Sequence, residues 1–271
     1  MKNISTTILS ILIITTTVSA QLRPGEIGYN PAIEKVYAAL RIQKINTFQT
    51  NPEYGNEEFL YAIGLVDESG KITEEKYPSL DNYFSTDDEG YGDDTSHYFY
   101  EYTSDNLIKH ITSLDFDLNT VETYFVYNEK GKLVEKTEGG AEARRYTFEY
   151  DDKGNITKAK GQTPVYTSGE KGTPVDIQSW KDVDLYTYKY NDSNQLTETQ
   201  FHYGNEFSYK ILYTYEGSRL SGFKMYSDEK SKTPDNINTL TYNSNGTLDK
   251  MVMVSNLNNT RITYRCAYDS K

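Results

Sequence analysis

The chain has 271 residues, of which 40 are acidic and 28 basic, for a net charge of −12. Such a balance leaves no basic stripe to follow a phosphate backbone, which excludes nucleic acid as a partner and disfavours anionic lipid surfaces. Cys266 is the single cysteine, so an intramolecular disulfide framework is excluded as well.

Residues 1–20 combine Lys2, an apolar run from Ile8 to Ile14, and the small residues Ser19 and Ala20 before Gln21. This is the pattern of a secretory signal peptide, with an apolar run too short to span a bilayer. No cysteine follows the expected cleavage point to take a lipid, so the expected location is secreted, in the periplasm or outside the cell. Loss of Lys2 with the leader leaves 27 bases and a charge of −13. Residues 21–50 form an N-terminal segment. Asn30-Pro31 followed by Ile33, Val36, Tyr37 and Leu40 predicts a short capped helix. Such a helix can plug one end of the fold or pack on its outside. The stretch 41–48 reads as a first strand.

From about residue 51 to 271 one phrase recurs: YFVYNEKGKLVEK, YTFEYDDKGNITKAK and YTYKYNDSNQLTETQ, with looser copies at YFYEYTSDNLIKH, YKILYTYEGSRLSG and TLTYNSNGTLDKM. The anchor tyrosines are Tyr102, Tyr127, Tyr150, Tyr190, Tyr215, Tyr242 and Tyr268, with gaps of 25, 23, 40, 25, 27 and 26. A degenerate copy precedes them with Val66 and Ile72 at the anchor positions. Regular spacing of this kind is the mark of a repeat architecture. In the copy at 146–160, Tyr146, Phe148 and Tyr150 alternate with Thr147 and Glu149, which puts the rings on one face of a strand. Asp151 to Gly154 then supplies a hairpin turn, and pairing of Asp151 with Asn155 sets Tyr150 opposite Ile156. The spans Tyr102 to Leu107 and Tyr215 to Leu220 are one residue shorter and predict tighter turns. On the Tyr face, Ile156 followed by Lys158 and Lys160, and Leu196 followed by Glu198 and Gln200, predict strands that start dry and end wet.

These residues resemble the YD or RHS-type repeats of bacterial secreted and surface proteins, whose unit reads roughly YxYDxxGxL. The resemblance covers about residues 60–271 and is greatest to short secreted Bacteroidota proteins of unknown function, including a family with a porin-like β-barrel fold. It implies no catalytic residue. The chain has too few copies for the toxin-enclosing shell of large RHS proteins, and no toxin domain follows them.

Two strands per copy give about 14–16 antiparallel strands, more than an open twisted sheet carries without curling. The expected fold is all-β: an antiparallel meander of hairpins, rolled into a barrel or a strongly curved, flattened sheet, with the short N-terminal helix. Positions facing away from the tyrosines include Thr147, Glu149, Thr187, Lys189, Lys210 and Thr214. Lipid would penalise that surface, so an integral membrane porin is not expected.

The longest connections read as 73–97, 160–182 and 227–238, and long loops are where function concentrates. The first two carry Tyr83, Tyr91, Tyr166 and Trp180, an aromatic set able to stack on a sugar or a peptide. The other reading of Trp180 is that it begins a strand and packs. Asp87 to Asp94 carries five carboxylates around two glycines, compatible with calcium ligation or with a plain solvated loop. Asp115 and Asp117, with Glu122 nearby, are the candidates for paired-carboxylate hydrolysis. His97, His110 and His202 share no metal-ligand spacing, and no GxSxG, HExxH, P-loop or GxGxxG motif occurs, so no metal, cofactor or catalytic site is assigned. The leading expectation is a secreted noncatalytic β-repeat protein that binds glycan or peptide through its long loops or a barrel mouth. A structural or interaction role in the cell envelope stands second, and a glycoside hydrolase third.

Overall fold

The computed structural model describes residues 32–78, 95–115, 119–139, 143–166 and 177–270. The expected leader, the Asn30-Pro31 cap, Tyr83, Tyr91, the acidic stretch 87–94 and Asp117 lie outside the described residues. A helix, α1 (Ala32–Ala39), opens the described chain. The strands are β1 (Ile42–Thr50), β2 (Glu58–Val66), β3 (Ile72–Pro78), β4 (Thr95–Tyr102), β5 (Ile108–Leu114), β6 (Thr120–Tyr127), β7 (Leu133–Glu138) and β8 (Arg144–Tyr150). They continue as β9 (Ile156–Tyr166), β10 (Ile177–Tyr190), β11 (Leu196–Tyr203), β12 (Glu206–Glu216), β13 (Arg219–Tyr226), β14 (Asn236–Tyr242), β15 (Leu248–Ser255) and β16 (Thr260–Ser270). Each strand pairs antiparallel with its sequence neighbours, and β1 pairs with β16, so the sixteen described strands make a closed barrel.

The repeated turn sets the register. Asp151 N–H donates to the Asn155 carbonyl at 2.9 Å, and Tyr150 faces Ile156. The same bond closes the turns at Asp67, Asn128, Asn191 and Asn243. In each, the fourth turn residue takes positive φ, as at Gly154 (φ 91) and at Asn194 (φ 59), where asparagine replaces the glycine. Of the two turns expected to be tight, one is: Tyr215 pairs with Leu220 across Gly217. The other is not, because Tyr102 pairs with Ile108 and Leu107 belongs to the turn.

Beside every such turn the register shifts by one residue, between Glu149 and Tyr150 for example. This bulge overturns the expected dry-to-wet gradient. Phe148 faces Ala159 and Tyr146 faces Gly161, so small residues share the tyrosine face. Lys158 and Lys160 turn outward to Glu149, at 3.5 and 3.0 Å. Likewise Thr199 and Phe201 follow Leu196 inward, while Glu198 pairs with Lys189 at 2.7 Å on the outside.

At four anchors the tyrosine hydroxyl ties one copy to the copy before. Tyr102 donates to the Ile72 carbonyl, Tyr150 to Leu133, Tyr242 to Leu220 and Tyr268 to Leu248, at 2.6–2.8 Å. Basic residues of the preceding turn lie over these rings: Lys71 over Tyr102 and Lys132 over Tyr150, both at 4.8 Å. Tyr150→Phe is therefore expected to lower stability by about 1 kcal/mol, read from urea midpoints, and an unchanged midpoint would show that the clamp contributes nothing.

Apolar clusters occupy the interior. One cluster joins Phe223, Leu240, Leu248, Met251, Met253, Ile262, Tyr264 and Cys266. A second joins Ile33 and Tyr37 of α1 to Ile42, Ile45, Val66, Ile72, Tyr100, Ile108 and Phe125, and a small third holds Ala62 and Tyr77. The helix thus plugs the end of the barrel that carries the repeat turns, with the Tyr37 ring 6.1 Å from that of Tyr268. Cys266 is buried on this inner face, its thiol pushed up to about 11 chiefly by burial.

Apart from Glu75, buried against the Tyr100 hydroxyl, and the charged inner wall described below, charge lies outside. Besides the pairs above, Glu74 holds His97 at 3.0 Å and Lys76 at 3.2 Å, and His110 meets Glu122 at 2.5 Å. At the seam, Arg265 of β16 reaches over the Phe48 ring of β1 to Glu58 of β2, with bonds of 2.9 and 2.7 Å. The Arg265 hydrogen bond holds the Glu58 carboxyl below its ordinary value against a smaller effect of burial. A depressed folded pKa adds stability above the unfolded value of about 4.3, and that stability is lost as pH falls through the folded value. Because both partners are well exposed, Glu58→Gln should cost on the order of 0.5 kcal/mol at pH 7 and nothing in acid. Urea midpoints at the two pH values check this, and a difference that persists in acid would refute it.

Candidate binding site at the barrel mouth

Opposite the plugged end, the inner wall from β7 to β12 combines rings with charge. The strand alternation that buries Tyr186, Tyr188 and Tyr190 also aims Asp184 inward, and that of Tyr146, Phe148 and Tyr150 aims Arg144 inward. Tyr146 and Tyr186 stand 6.4 Å apart across β9, which presents only Ala159 and Gly161 between them. Tyr186 stacks on Phe201 at 4.5 Å, and Phe201 meets Tyr209 at 5.2 Å. These rings form a continuous row from β8 to β12.

A chain of alternating charge borders the row. Lys136 pairs with Glu138 at 2.6 Å and lies 5.4 Å over the Tyr146 ring. Glu138 faces Arg144 in the ladder, and Arg144 is paired with Asp184. The Asp184 side chain is 3% exposed, whereas Arg144 keeps 24% of its surface in solvent, so the pair grades from buried to open. Burial raises the Asp184 pKa above the ordinary carboxylate value, and the Arg144 charge pulls the other way. One carboxylate oxygen takes the guanidinium, while Oδ1 is buried with no hydrogen-bond partner among the described residues. A buried acceptor left unmet is costly, so this oxygen is an unusual feature of the wall. Gly161 is required here: a Cβ would stand 2.7 Å from the Asp184 Cβ and 2.8 Å from the Tyr146 ring.

Tyr166, expected on a long loop, and Trp180, read either as part of a loop platform or as the packed start of a strand, both sit in paired strands. Trp180 faces Pro164, and Tyr166 faces Ile177 two ladder positions further on, along the part of β9 and β10 that runs past the ends of β8 and β11. This arm is a two-stranded extension of the mouth. Arg145 lies 4.6 Å over the Trp180 ring and also donates to Gln162, which donates to Asp182. Trp180 is thereby packed on the outer side of the arm, while Tyr166 remains half exposed at its tip.

Of the hydrolase candidates, the two among the described residues, Asp115 and Glu122, have separate partners. Asp115 accepts from the Asn119 backbone and side chain in the turn after β5, and Glu122 is bonded to His110 and Thr112 on the outer surface. Among the described residues no three His, Cys, Asp or Glu side chains converge as a metal site, and no helix is long and apolar enough to cross a membrane. Sequence reading missed Asp184, Arg144 and Glu138. For Asp184 and Arg144 the signal is a charge two residues before an inward ring, Tyr186 and Tyr146 respectively; Glu138 has none.

The fold defines a closed antiparallel barrel with apolar clusters in its interior. Among solved structures it is similar to a porin-like protein from Bacteroides uniformis, with TM-score 0.55 and 12% identity over 84% of this chain and 98% of that one. A porin-like protein from Bacteroides vulgatus is matched at TM-score 0.44 and 13% identity, over 85% of this chain and 99% of that one. The Tc holotoxin pore of Photorhabdus luminescens is matched at TM-score 0.30 and 11% identity, over 75% of this chain and 12% of that one. The first match agrees with the expected porin-like barrel. No protein-family model matches the sequence, so the resemblance to YD repeats gains no support there. No curated protein matches it either.

Proposed function

We propose that the chain is a noncatalytic barrel, secreted into an aqueous compartment outside the inner membrane, that binds a glycan at the end opposite the helix. The observation that carries the reading is the unmet, buried Asp184 oxygen beside the Tyr146–Tyr186–Phe201–Tyr209 row. Sugars offer an apolar ring face to aromatic side chains and a rim of hydroxyl donors to carboxylates, and the wall presents both groups. Arg144 supplies donors at the open side, and the arm carrying Tyr166 and Trp180 extends the same mouth. The aqueous location rests on the outward charge: a Lys or Arg facing the bilayer midplane costs a barrel about 2–4 kcal/mol, and Lys158, Lys160, Lys189 and Arg265 all face outward.

Calorimetric titration of a glycan panel and a peptide panel tests the proposal. A glycan should bind, and Phe201→Ala and Asp184→Asn should each weaken it by about tenfold or more, equivalent to about 1.4 kcal/mol. Peptide binding alone, or glycan binding indifferent to both substitutions, would overturn it.

A second reading, an interaction protein of the envelope, is favoured by one feature. Val165, Tyr166 and Ile177 are exposed together near the tip of the arm. Exposed apolar groups on an extension with few neighbours suit contact with another protein. A stoichiometric partner that is lost on Tyr166→Ser would support it.

A further inference from the structure

The repeat exposes an anomaly on β14. Four residues before the anchor tyrosine, on the inner face, the other copies place Tyr98, Tyr146, Tyr186 and Tyr264, or the apolar or small residues Ile211, Thr123 and Ala62. The copy ending at Tyr242 places Asn238 there instead. Asn238 is 2% exposed and faces Phe223 and Met253 of the apolar cluster across its two ladders, with Leu240 and Met251 of that cluster on the same sheet and buried Met225 two residues from Phe223 on β13. Its Oδ1 and its Nδ2 are both buried, and neither has a hydrogen-bond partner among the described residues. A carboxamide set into an apolar wall without partners costs its full desolvation, so the position is anomalous as core. It is also shorter than the ring that four other copies use to fill the same place.

We propose that Asn238 marks an interior ligand site, separate from the mouth wall, for a small uncharged molecule bearing a carboxamide-like group. The side chain offers one donor and one acceptor side by side, and a second amide returns an acceptor and a donor in the complementary order. Two parallel hydrogen bonds then satisfy both buried atoms at once. Phe223, Met225 and Met253 receive the apolar remainder of the ligand, the two methionines adapting to its shape. A buried water pair is the competing occupant, and it would leave the site with no preference for an amide.

Propionamide is the probe, and millimolar affinity is within reach of so small a ligand in an enclosed site. Titrated into the full chain and followed by nitrogen–proton correlation spectra, it should shift the Asn238 side-chain amide saturably and raise the melting temperature. Asn238→Leu should abolish both responses. Asn238→Tyr, which restores the residue of the other copies, should abolish them too while melting above the parent without probe, since the ring occupies the space. No saturable shift of the Asn238 amide, or an equal response from Asn238→Leu, would overturn the proposal, as would a crystal structure with only water on the amide after soaking. The site is independent of the mouth: Phe201→Ala should leave the propionamide response intact, so failure of the glycan reading and failure of this one are distinguishable.

Discussion

Tyr264→Ala is expected to destabilise the barrel by about 3–5 kcal/mol, the range for removing a fully packed aromatic side chain. Tyr264 is 1% exposed on β16, opposite Met251 of β15. Its ring packs edge-on to Tyr61 at 5.4 Å, and its hydroxyl accepts from Gln49 of β1 at 3.4 Å. Because β16 and β1 form the closing seam, the cavity would open where the barrel joins its two ends. Equilibrium urea unfolding measures the loss. Tyr264→Phe, which keeps the ring, should cost about 1 kcal/mol. Equal effects from the two substitutions would show that packing at the seam is not what holds it.

The second large effect is expected at the plug. Gly70, in the turn between β2 and β3, has φ +88, and a Cβ there would stand 1.9 Å from the Glu34 carbonyl oxygen and 2.8 Å from the Ala38 nitrogen. Both are backbone atoms of α1 and cannot rotate away. Gly70→Ala must therefore lift the helix and withdraw Ile33 and Tyr37 from the core, at a cost of about 3 kcal/mol. Gly154→Ala is the control: φ is +91, but its Cβ meets only the end of the Lys132 side chain at 3.5 Å. That substitution should cost about 1 kcal/mol, the backbone effect alone. Hydrogen exchange at the α1 amides separates the two cases, rising sharply in Gly70→Ala and not in Gly154→Ala. Protected α1 amides in Gly70→Ala would contradict the plug.

The hairpins were legible because their determinants are local. Asx and Gly at fixed turn positions, with Tyr and Leu or Ile on either side, define each pair without reference to the rest of the chain. The bulge was not legible from alternation alone, since one extra residue beside each turn reverses the face of everything after it. A charge argument finds it: Glu149 facing Lys158 on the outside is better than Lys158 among buried rings. The mouth was hidden for a different reason. Arg144 and Asp184 are 40 positions apart and meet only because β9 carries Ala159 and Gly161 between their strands. Closure also depends on a non-local partner, as β1 lies outside the repeat and joins β2 to β16. The stretch 160–182 lacks the repeat phrase and so resembles a loop, yet much of it extends β9 and β10 into the arm, where Trp180 packs as a strand residue.

The polarity of this barrel is the reverse of that expected in a bilayer. Membrane barrels turn an apolar band outward and keep a polar interior. Here Tyr188, Phe223, Met251 and Tyr264 fill the interior, while Lys158, Glu149, Lys189 and Glu198 pair on the outer wall. A patch of exposed apolar residues does exist outside, at Phe99, Tyr124, Val126 and Val134, but Glu101, His110 and Glu122 run through it. The direct measurement is fractionation of cells that express the full chain, followed by carbonate extraction and sedimentation without detergent. The account predicts release into the carbonate-soluble fraction and a discrete sedimenting species in plain buffer. Retention in the membrane pellet, with solubility only in detergent, would contradict it.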